Sequence, residues 1–169
     1  MSGTIQIYYG EGKGKTTAAL GLCIREAGFG KSVMIVQFLK GRDCRELDLI
    51  KRLEPEIKLF RFEKTDGEFC NLPEDVKEEE CMNIKNGLNY VRKVLTTGQC
   101  DILVVDELLG LIDYGILSLE EARELLKEKN EDMELILTGR VLPQGLEDMA
   151  DDIYCINVVK EAENHRKES

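Results

Sequence analysis

A glycine-rich turn between two apolar segments constrains the fold of this chain more than any other feature. The turn reads Gly-Glu-Gly-Lys-Gly-Lys-Thr-Thr over residues 10–17 and follows an apolar run at residues 5–9 that is typical of a short buried strand. After the turn, Leu20, Cys23 and Ala27 recur with the spacing of one helix face. The pattern therefore predicts a strand, a tight turn and a helix in direct succession.

A turn of this kind is suited to hold a polyphosphate. Its glycines let backbone N–H groups approach anionic oxygens, and the N-terminus of the following helix adds partial positive charge. The Lys15 ammonium adds a full charge, and the Thr16 hydroxyl can reach a magnesium ion. We therefore predict that nucleotide phosphates are bound by Gly10, Glu11, Gly12, Lys13, Gly14, Lys15, Thr16 and Thr17.

The spacing within the turn is unusual. In the common phosphate-loop pattern, four residues separate the first glycine from Gly-Lys-Ser/Thr. In this chain Tyr9 occupies the position of that first glycine, and the nearest glycine, Gly10, comes one residue later. The chain therefore carries a compact variant of the phosphate loop.

Apolar runs alternate with amphipathic segments along the rest of the chain. Strands alternating with helices imply right-handed βαβ units around a parallel sheet that is covered on both faces. We predict strands over residues 5–9, 33–38, 57–62, 102–105, 135–137 and 153–158, and helices over 16–27, 45–53, 73–95, 118–129 and 143–149, with a capping box at Ser118 and Glu121. The predicted fold class is α/β: a single-domain, P-loop NTPase-like (RecA-like), mostly parallel sheet of about six strands with helices on both faces. The domain is predicted over residues 1–159, with a charged tail over 160–169.

Two acidic residues follow the apolar run at residues 102–105. In phosphate-loop proteins a carboxylate at this place approaches the magnesium ion, directly or through water. Asp106 and Glu107 are therefore candidate metal ligands together with Thr16. The sequence leaves open which of the two approaches the ion, and a strand that simply stops at polar residues is the alternative.

Cationic residues follow two further predicted strands, where an open α/β sheet presents its ligand site. Lys40 lies in the segment Leu-Lys-Gly-Arg and suits an anion or a bulky polar ligand. Arg140 follows Leu-Thr-Gly and could stabilise charge that develops on a leaving phosphate. Either residue could equally lie in a solvated turn. We take Lys40 as a candidate binding residue, and Lys15 and Arg140 as candidate catalytic residues.

One aromatic residue is a candidate contact for a flat ligand. Phe60 and Phe62 share a strand face and are typical of core residues, whereas Phe69 lies at the end of a polar stretch. We predict that Phe69 contacts the cofactor. The sequence shows no grouping of serine, cysteine and histidine that would suggest covalent catalysis.

Composition disfavours several classes of protein. The net charge of −10 argues against a nucleic-acid groove, because the phosphate backbone demands a basic face. The apolar stretches are too short to span a membrane, and the polar N-terminus predicts no signal peptide. The six cysteines form no Cys-x-x-Cys pair, which argues against zinc and suits a reduced cytoplasm. Cys23, Cys100 and Cys155 fit small core positions, whereas Cys44 lies in a polar segment.

Taken in order, these segments resemble the ATP:corrinoid adenosyltransferases of the phosphate-loop type. The resemblance begins with the shortened loop and its continuation at residues 10–21, and it extends from about residue 5 to residue 159. The similar segments are residues 27–31, 36–41, 105–108, 113–114, 117–121 and 137–140. The loop alone would indicate only a nucleotide, whereas the segments together are specific.

The resemblance implies transfer of the 5′-deoxyadenosyl group of ATP to the Co(I) of a reduced corrinoid, with release of triphosphate. It also implies a divalent cation, Mg²⁺ or Mn²⁺, a flavoprotein reductant, and a cytoplasmic homodimer without nucleic-acid or membrane partners. Co(I) is itself a strong nucleophile, so the protein must chiefly hold the leaving triphosphate and position C5′ near cobalt. By resemblance, residues 10–17 hold the phosphates, Thr16 with Asp106 or Glu107 holds the metal, and Arg140 is a charged neighbour.

Part of the family pattern is missing from this sequence. Many members carry an aromatic pair with a tryptophan after the third strand, where it helps displace the lower axial ligand of cobalt. This chain has no tryptophan, and only Phe69 lies near that place. Two alternatives therefore stay open: a P-loop nucleotide kinase or ATPase that acts on the γ-phosphate, and a non-catalytic nucleotide- or corrinoid-binding paralogue.

Overall fold

Strands and helices alternate along the chain. The computed structural model describes residues 2–39, 46–63 and 69–160. The strands are β1 (Ile5–Tyr9), β2 (Val33–Gln37), β3 (Ile57–Arg61), β4 (Ile102–Asp106), β5 (Glu134–Gly139) and β6 (Asp152–Cys155). The helices are α1 (Lys15–Gly28), α2 (Glu46–Lys51), α3 (Glu74–Thr97), α4 (Leu108–Asp113) and α5 (Leu119–Lys127), with 3-10 turns at Phe69–Asn71 and Glu147–Met149. Within the described ranges, no helix is long and apolar enough to cross a membrane.

The six strands form one sheet in the order β3-β2-β4-β5-β1-β6, and every pairing is parallel. The predicted α/β class with a parallel sheet is confirmed. In the ladder, Gln37 pairs with Asp106, and Tyr9 pairs with Gly139. The carboxyl ends of β1, β2, β4 and β5 therefore meet at one edge of the sheet, which is where the phosphate loop begins.

Helices cover both faces of the sheet. On one face, Ala19 of α1 and Ile50 of α2 pack in a buried layer that includes Val104. On the other face, α3, α4 and α5 pack in a layer that includes Leu125 and Val105. Val104 and Val105 belong to different layers because successive strand side chains point to opposite faces. Burial on both faces explains why the strands read as unbroken apolar runs.

The last strand is shorter than predicted. It was expected over residues 153–158, but β6 ends at Cys155. The reason lies in its partner, because β1 ends at Tyr9 and turns into the phosphate loop. Beyond Cys155, the Ile156 N–H donates to the Tyr9 carbonyl at 2.7 Å, and the Ile156 carbonyl accepts a hydrogen bond from the loop. The chain after β6 therefore supports the loop and does not extend the sheet.

The helix expected over residues 143–149 is also wrong in extent, since only the 3-10 turn Glu147–Met149 forms. Gly145 has a φ of 91°, which lies outside the helical range and breaks the segment. Conversely, α4 was not predicted. Its run Leu-Leu-Gly-Leu-Ile directly follows the apolar strand β4, and its six residues are too few to show a helical period.

The cysteines divide by position. Cys23 and Cys100 are buried as predicted, and burial raises the pKa of each thiol to about 12. Cys155 was expected in the core but is exposed, because β6 is an edge strand whose residues are all exposed. Cys44 and Lys40 lie outside the described residues, as does the predicted tail beyond Lys160.

Candidate active site

The glycine-rich loop is anchored to the segments that follow β5 and β6. The Gly10 N–H donates to the Arg140 carbonyl at 3.0 Å, and the Gly12 N–H donates to the Ile156 carbonyl at 2.9 Å. A Cβ atom on Gly10 or Gly12 would lie 2.3 or 2.7 Å from that Ile156 oxygen, so the close approach requires glycine at both positions. These two amides therefore hold the loop in place.

The end of the loop forms the N-terminus of α1. Gly14 is the N-cap residue with a φ of 109°, a left-handed conformation that favours glycine. The next residue, Lys15, is 9 % exposed, and its Nζ donates to the carbonyls of Gly10 at 2.6 Å and Gly12 at 2.9 Å. The Lys15 ammonium therefore lies over the loop, at a helix N-terminus that already favours negative charge.

A fully buried carboxylate faces this helix end. Asp106, the last residue of β4, is 0 % exposed. Its Oδ1 accepts hydrogen bonds from the hydroxyls of Thr16 at 2.8 Å and Thr138 at 2.7 Å, and its Oδ2 accepts one from Gln37 Nε2 at 3.2 Å. The structure thus brings two of the predicted metal ligands, Thr16 and Asp106, within hydrogen-bond distance.

Glu107 turns the chain from β4 into α4. It has a φ of 63°, and its N–H donates to the Thr138 hydroxyl at 2.9 Å. Thr138 therefore contacts both acidic residues, through its hydroxyl hydrogen to Asp106 and its hydroxyl oxygen to Glu107. The half-buried Glu107 side chain lies beside α4, with its Oε2 close to Gly110. In this geometry Asp106 accepts a hydrogen bond from the Thr16 hydroxyl.

Two residues of this network were assigned no role from the sequence. Gln37 and Thr138 are both buried, at the ends of β2 and β5. The available signal was a polar residue at the end of an otherwise apolar run. That signal becomes meaningful only once the strand order places β2 and β5 on either side of β4.

The remaining predicted site residues lie around this centre. Arg140 is exposed, and its backbone carbonyl contacts Gly10 of the loop. Glu11, Lys13 and Thr17 are exposed on the loop and the first turn of α1. Arg140 therefore lies beside the loop and is exposed.

Phe69 packs against the segment that follows α4. It opens the 3-10 turn before α3, and its ring packs on Tyr114 with 5.6 Å between the ring centroids. Both rings line an open groove of about 470 Å³ between α3 and the segment that follows α4. The groove combines apolar and charged side chains and is also lined by Glu74, Lys77, Glu78, Cys81, Met82, Lys85, Gly115 and Ile116.

A comparison with solved structures shows the fold. A KaiC-like protein, PH0186 from the hyperthermophilic archaeon Pyrococcus horikoshii, superposes with a TM-score of 0.59. The match covers 92% of this chain and 72% of that chain, at 21% sequence identity. The predicted P-loop NTPase-like, RecA-like fold class is confirmed by this match together with the sheet.

Comparisons of sequence show the family. The corrinoid adenosyltransferase of Escherichia coli K12 is 32% identical over 161 residues, and CobA of Salmonella typhimurium is 33% identical over 161 residues. Each match covers 95% of this chain and 79% of the relative. An uncharacterised Nostoc protein, all2391, is 33% identical, but this chain spans only 43% of its length. The family model described as ATP:corrinoid adenosyltransferase BtuR/CobO/CobP matches residues 1–168, so the chain belongs to this family of enzymes, as its sequence predicted.

Proposed function

We propose that this protein transfers the 5′-deoxyadenosyl group of ATP to the cobalt of a reduced corrinoid and releases triphosphate. The observation that carries the proposal is the hydrogen bond of 2.8 Å between Thr16, in the first turn of α1, and the buried Asp106 at the end of β4. It joins a phosphate loop to a carboxylate in a chain whose relatives are named corrinoid adenosyltransferases.

The loop binds the triphosphate of ATP. The Lys15 ammonium exchanges the carbonyls of Gly10 and Gly12 for phosphate oxygens, which bear full negative charge and are stronger acceptors. The amides at the start of α1 add donors that already point along the helix axis. Glu11, Lys13 and Thr17 lie at the exposed rim, where they contact the outer phosphates or their solvent shell.

The donor set suits a hard divalent cation. Magnesium is commonly held by one or two carboxylates together with substrate phosphates, and a hydroxyl and a carboxylate are available here. Thr16 and Asp106 would hold Mg²⁺ or Mn²⁺. Glu107, which directly follows Asp106, is the second candidate carboxylate for the ion. When bound, the cation neutralises charge on the departing triphosphate.

The transfer itself needs no protein nucleophile. The electron pair of Co(I) forms the bond to C5′ while the bond between C5′ and its ester oxygen breaks, and that bonding pair leaves with the triphosphate. Cobalt becomes formally Co(III), and no proton is transferred in this step. The protein contributes proximity and electrostatic stabilisation of the leaving group, with Lys15 and Arg140 as the cationic side chains. Lys40 belongs to the same proposal as a contact for the phosphates or the corrinoid.

The groove beside Phe69 and Tyr114 is the proposed surface for the corrinoid. Its two aromatic rings, with Met82 and Ile116, offer an apolar face to a flat macrocycle, and Lys77 and Lys85 supply donors at the margin. We place Phe69 against the macrocycle. A cytoplasmic homodimer served by a flavoprotein reductant completes the proposal, and it is supported by the family resemblance.

The proposal is tested by incubating the protein with ATP, Mg²⁺ and chemically reduced cobalamin. We expect the absorption spectrum of an adenosylated corrinoid to appear. Intact triphosphate should be released in an amount equal to that of the adenosylated corrinoid. The Phe69→Ala variant should raise the KM for cobalamin and leave the KM for ATP unchanged. Formation of ADP without a cobalt–carbon bond would instead identify a kinase or ATPase. Tight ATP binding without turnover would identify a non-catalytic paralogue.

A further inference from the structure

Three side chains on adjacent strands form a chain of hydrogen bonds that ends at Asp106. The Arg61 Nε–H of β3 donates to Gln37 Oε1 of β2 at 3.0 Å, and Gln37 Nε2 donates to Asp106 Oδ2 of β4 at 3.2 Å. The sheet register causes this arrangement, because Gln37 pairs with Arg61 on one side and with Asp106 on the other. The chain crosses the carboxyl edge of the sheet toward the phosphate loop.

Arg61 and Asp106 together determine which way the Gln37 amide points. A guanidinium has only donors, so the amide must present its oxygen to Arg61. The amide NH₂ group is then directed at Asp106, where a carboxylate has only acceptors. Without Arg61, Gln37 Oε1 loses this donor, and the amide is held less firmly against Asp106.

The carboxylate held in this way lies deep in the protein. Gln37 is 4% exposed and Asp106 is 0% exposed. The hydroxyls of Thr16 and Thr138 donate to Oδ1, and Gln37 donates to Oδ2. Donors on both oxygens fix the rotation of the carboxylate about its χ2 torsion, and therefore fix where its remaining lone pairs point.

We propose that Gln37 and Arg61 are positioning residues, which orient Asp106 for the divalent cation that accompanies ATP. The inference rests on the proposed Mg²⁺–ATP site. Arg61 acts through Gln37, and Gln37 acts through its hydrogen bond to Asp106. Partners that orient a metal ligand through its second oxygen or nitrogen commonly change metal affinity by about 10- to 100-fold when they are removed.

The test compares ATP binding with and without Mg²⁺ by isothermal titration calorimetry. The variants are Gln37→Met, which keeps the side-chain length without its hydrogen bonds, and Arg61→Leu. Arg61→Lys restores a donor, and Lys58→Ala removes a different, exposed cation from β3 as a matched control. Thermal unfolding of each variant shows that it is folded. Should Gln37→Met not fold, Arg61→Leu at the half-buried end of the chain of hydrogen bonds carries the test.

Mg²⁺ should raise the ATP affinity of the wild type. We expect Gln37→Met and Arg61→Leu to reduce this Mg²⁺-dependent increase by about tenfold or more and to leave ATP affinity in EDTA unchanged. Arg61→Lys should recover part of the gain, and Lys58→Ala should match the wild type. The positioning role alone is overturned if Mg²⁺ raises ATP affinity by the same factor in the wild type and in both variants. It is also overturned if both variants bind ATP more weakly than the wild type by the same factor with and without Mg²⁺. If the wild type gains nothing from Mg²⁺, the proposed metal site fails and the inference fails with it.

Discussion

Lys15 is a charged residue held in a buried position. The residue is 9% exposed, and its ammonium donates to the carbonyls of Gly10 and Gly12. Neutral carbonyls are weaker partners for a cation than phosphate oxygens, so we expect a bound triphosphate to replace them. We therefore expect a bound anion to displace the hydrogen bonds between Lys15 and these loop carbonyls.

The variant Lys15→Ala tests this role. A hydrogen bond to a charged group contributes about 1.5–3 kcal/mol, so we expect ATP affinity to fall by roughly tenfold to a hundredfold or more. Calorimetric titration with ATP measures the effect, and circular dichroism checks that the fold survives. The control is Lys93→Ala, an exposed lysine of α3. Unchanged ATP affinity in Lys15→Ala would remove the central role of the loop.

Single residues also show how far the sequence predicts the site. Lys15, Thr16 and Asp106 were predicted as site residues because each lies at a fixed place in a local pattern of strand, loop and helix. Gln37 and Thr138 contact the same carboxylate but carry no such pattern. Their role depends on which strands are neighbours, and this is a property of the sheet that the order of residues along the chain does not contain.

Elements of this fold are tied at their ends by side chains. At the start of β2 and β4, the Ser32 N–H and hydroxyl both donate to Asp101 Oδ2 at 2.7 Å. These two hydrogen bonds from Ser32 hold the pKa of the Asp101 carboxyl below the ordinary value of 3.8. A carboxyl whose pKa is lowered by folding stabilises the fold while it is ionised and ceases to do so when it is protonated.

We therefore expect a pH-dependent effect of Asp101→Asn. Wild type should be more stable than the variant at about pH 7, and the difference should shrink once the pH falls below 3.8 and through the lowered pKa of Asp101. Urea unfolding across this range measures the difference. Asp132→Asn, at an exposed aspartate before β5, is the control. A difference for Asp101→Asn that stays constant with pH would contradict the account.

Helix α3 packs closely on the strands through a glycine. A Cβ atom on Gly87 would lie 2.5 Å from Phe62 Cγ and 2.6 Å from Phe38 Cε1. We expect Gly87→Ala to lower the free energy of unfolding by about 1–3 kcal/mol through overpacking. Gly21→Ala in α1, where a Cβ meets nothing within 4 Å, should instead raise it by roughly 0.5–1 kcal/mol. Denaturant unfolding measures both, and equal effects would refute the packing argument.

At the scale of the whole molecule, strand order brings the site together. β1 and β4 flank β5 in the sheet, so the phosphate loop after β1 and Asp106 at the end of β4 lie on either side of Thr138. The alternation of strands and helices, and burial on both sheet faces, were predictable from apolar periodicity. The exact ends of β6 and the 3-10 turn were not, because contacts with the loop and the conformation of Gly145 set them.

A ligand that bridges these elements should stabilise the whole domain. If the loop holds a leaving triphosphate, tripolyphosphate with Mg²⁺ should bind without the nucleoside. At 100 times its Kd it should add about 2.7 kcal/mol, which corresponds to a rise in Tm of roughly 5–10 °C. Thermal unfolding measures the rise, which should vanish in Lys15→Ala. Stabilisation by ATP with none by tripolyphosphate would place the binding energy outside the loop.

Adenosyl transfer and phosphoryl transfer break different bonds of ATP, so the position of the broken bond distinguishes them. The measurement uses ATP that carries a heavy oxygen isotope at the ester position between C5′ and the α-phosphorus, together with reduced cobalamin and Mg²⁺. Mass spectrometry of the products then locates the label. We expect that all of the label leaves in intact triphosphate and that the adenosylated corrinoid carries none. Label retained in ADP or in a nucleoside product, without a cobalt–carbon bond, would contradict it.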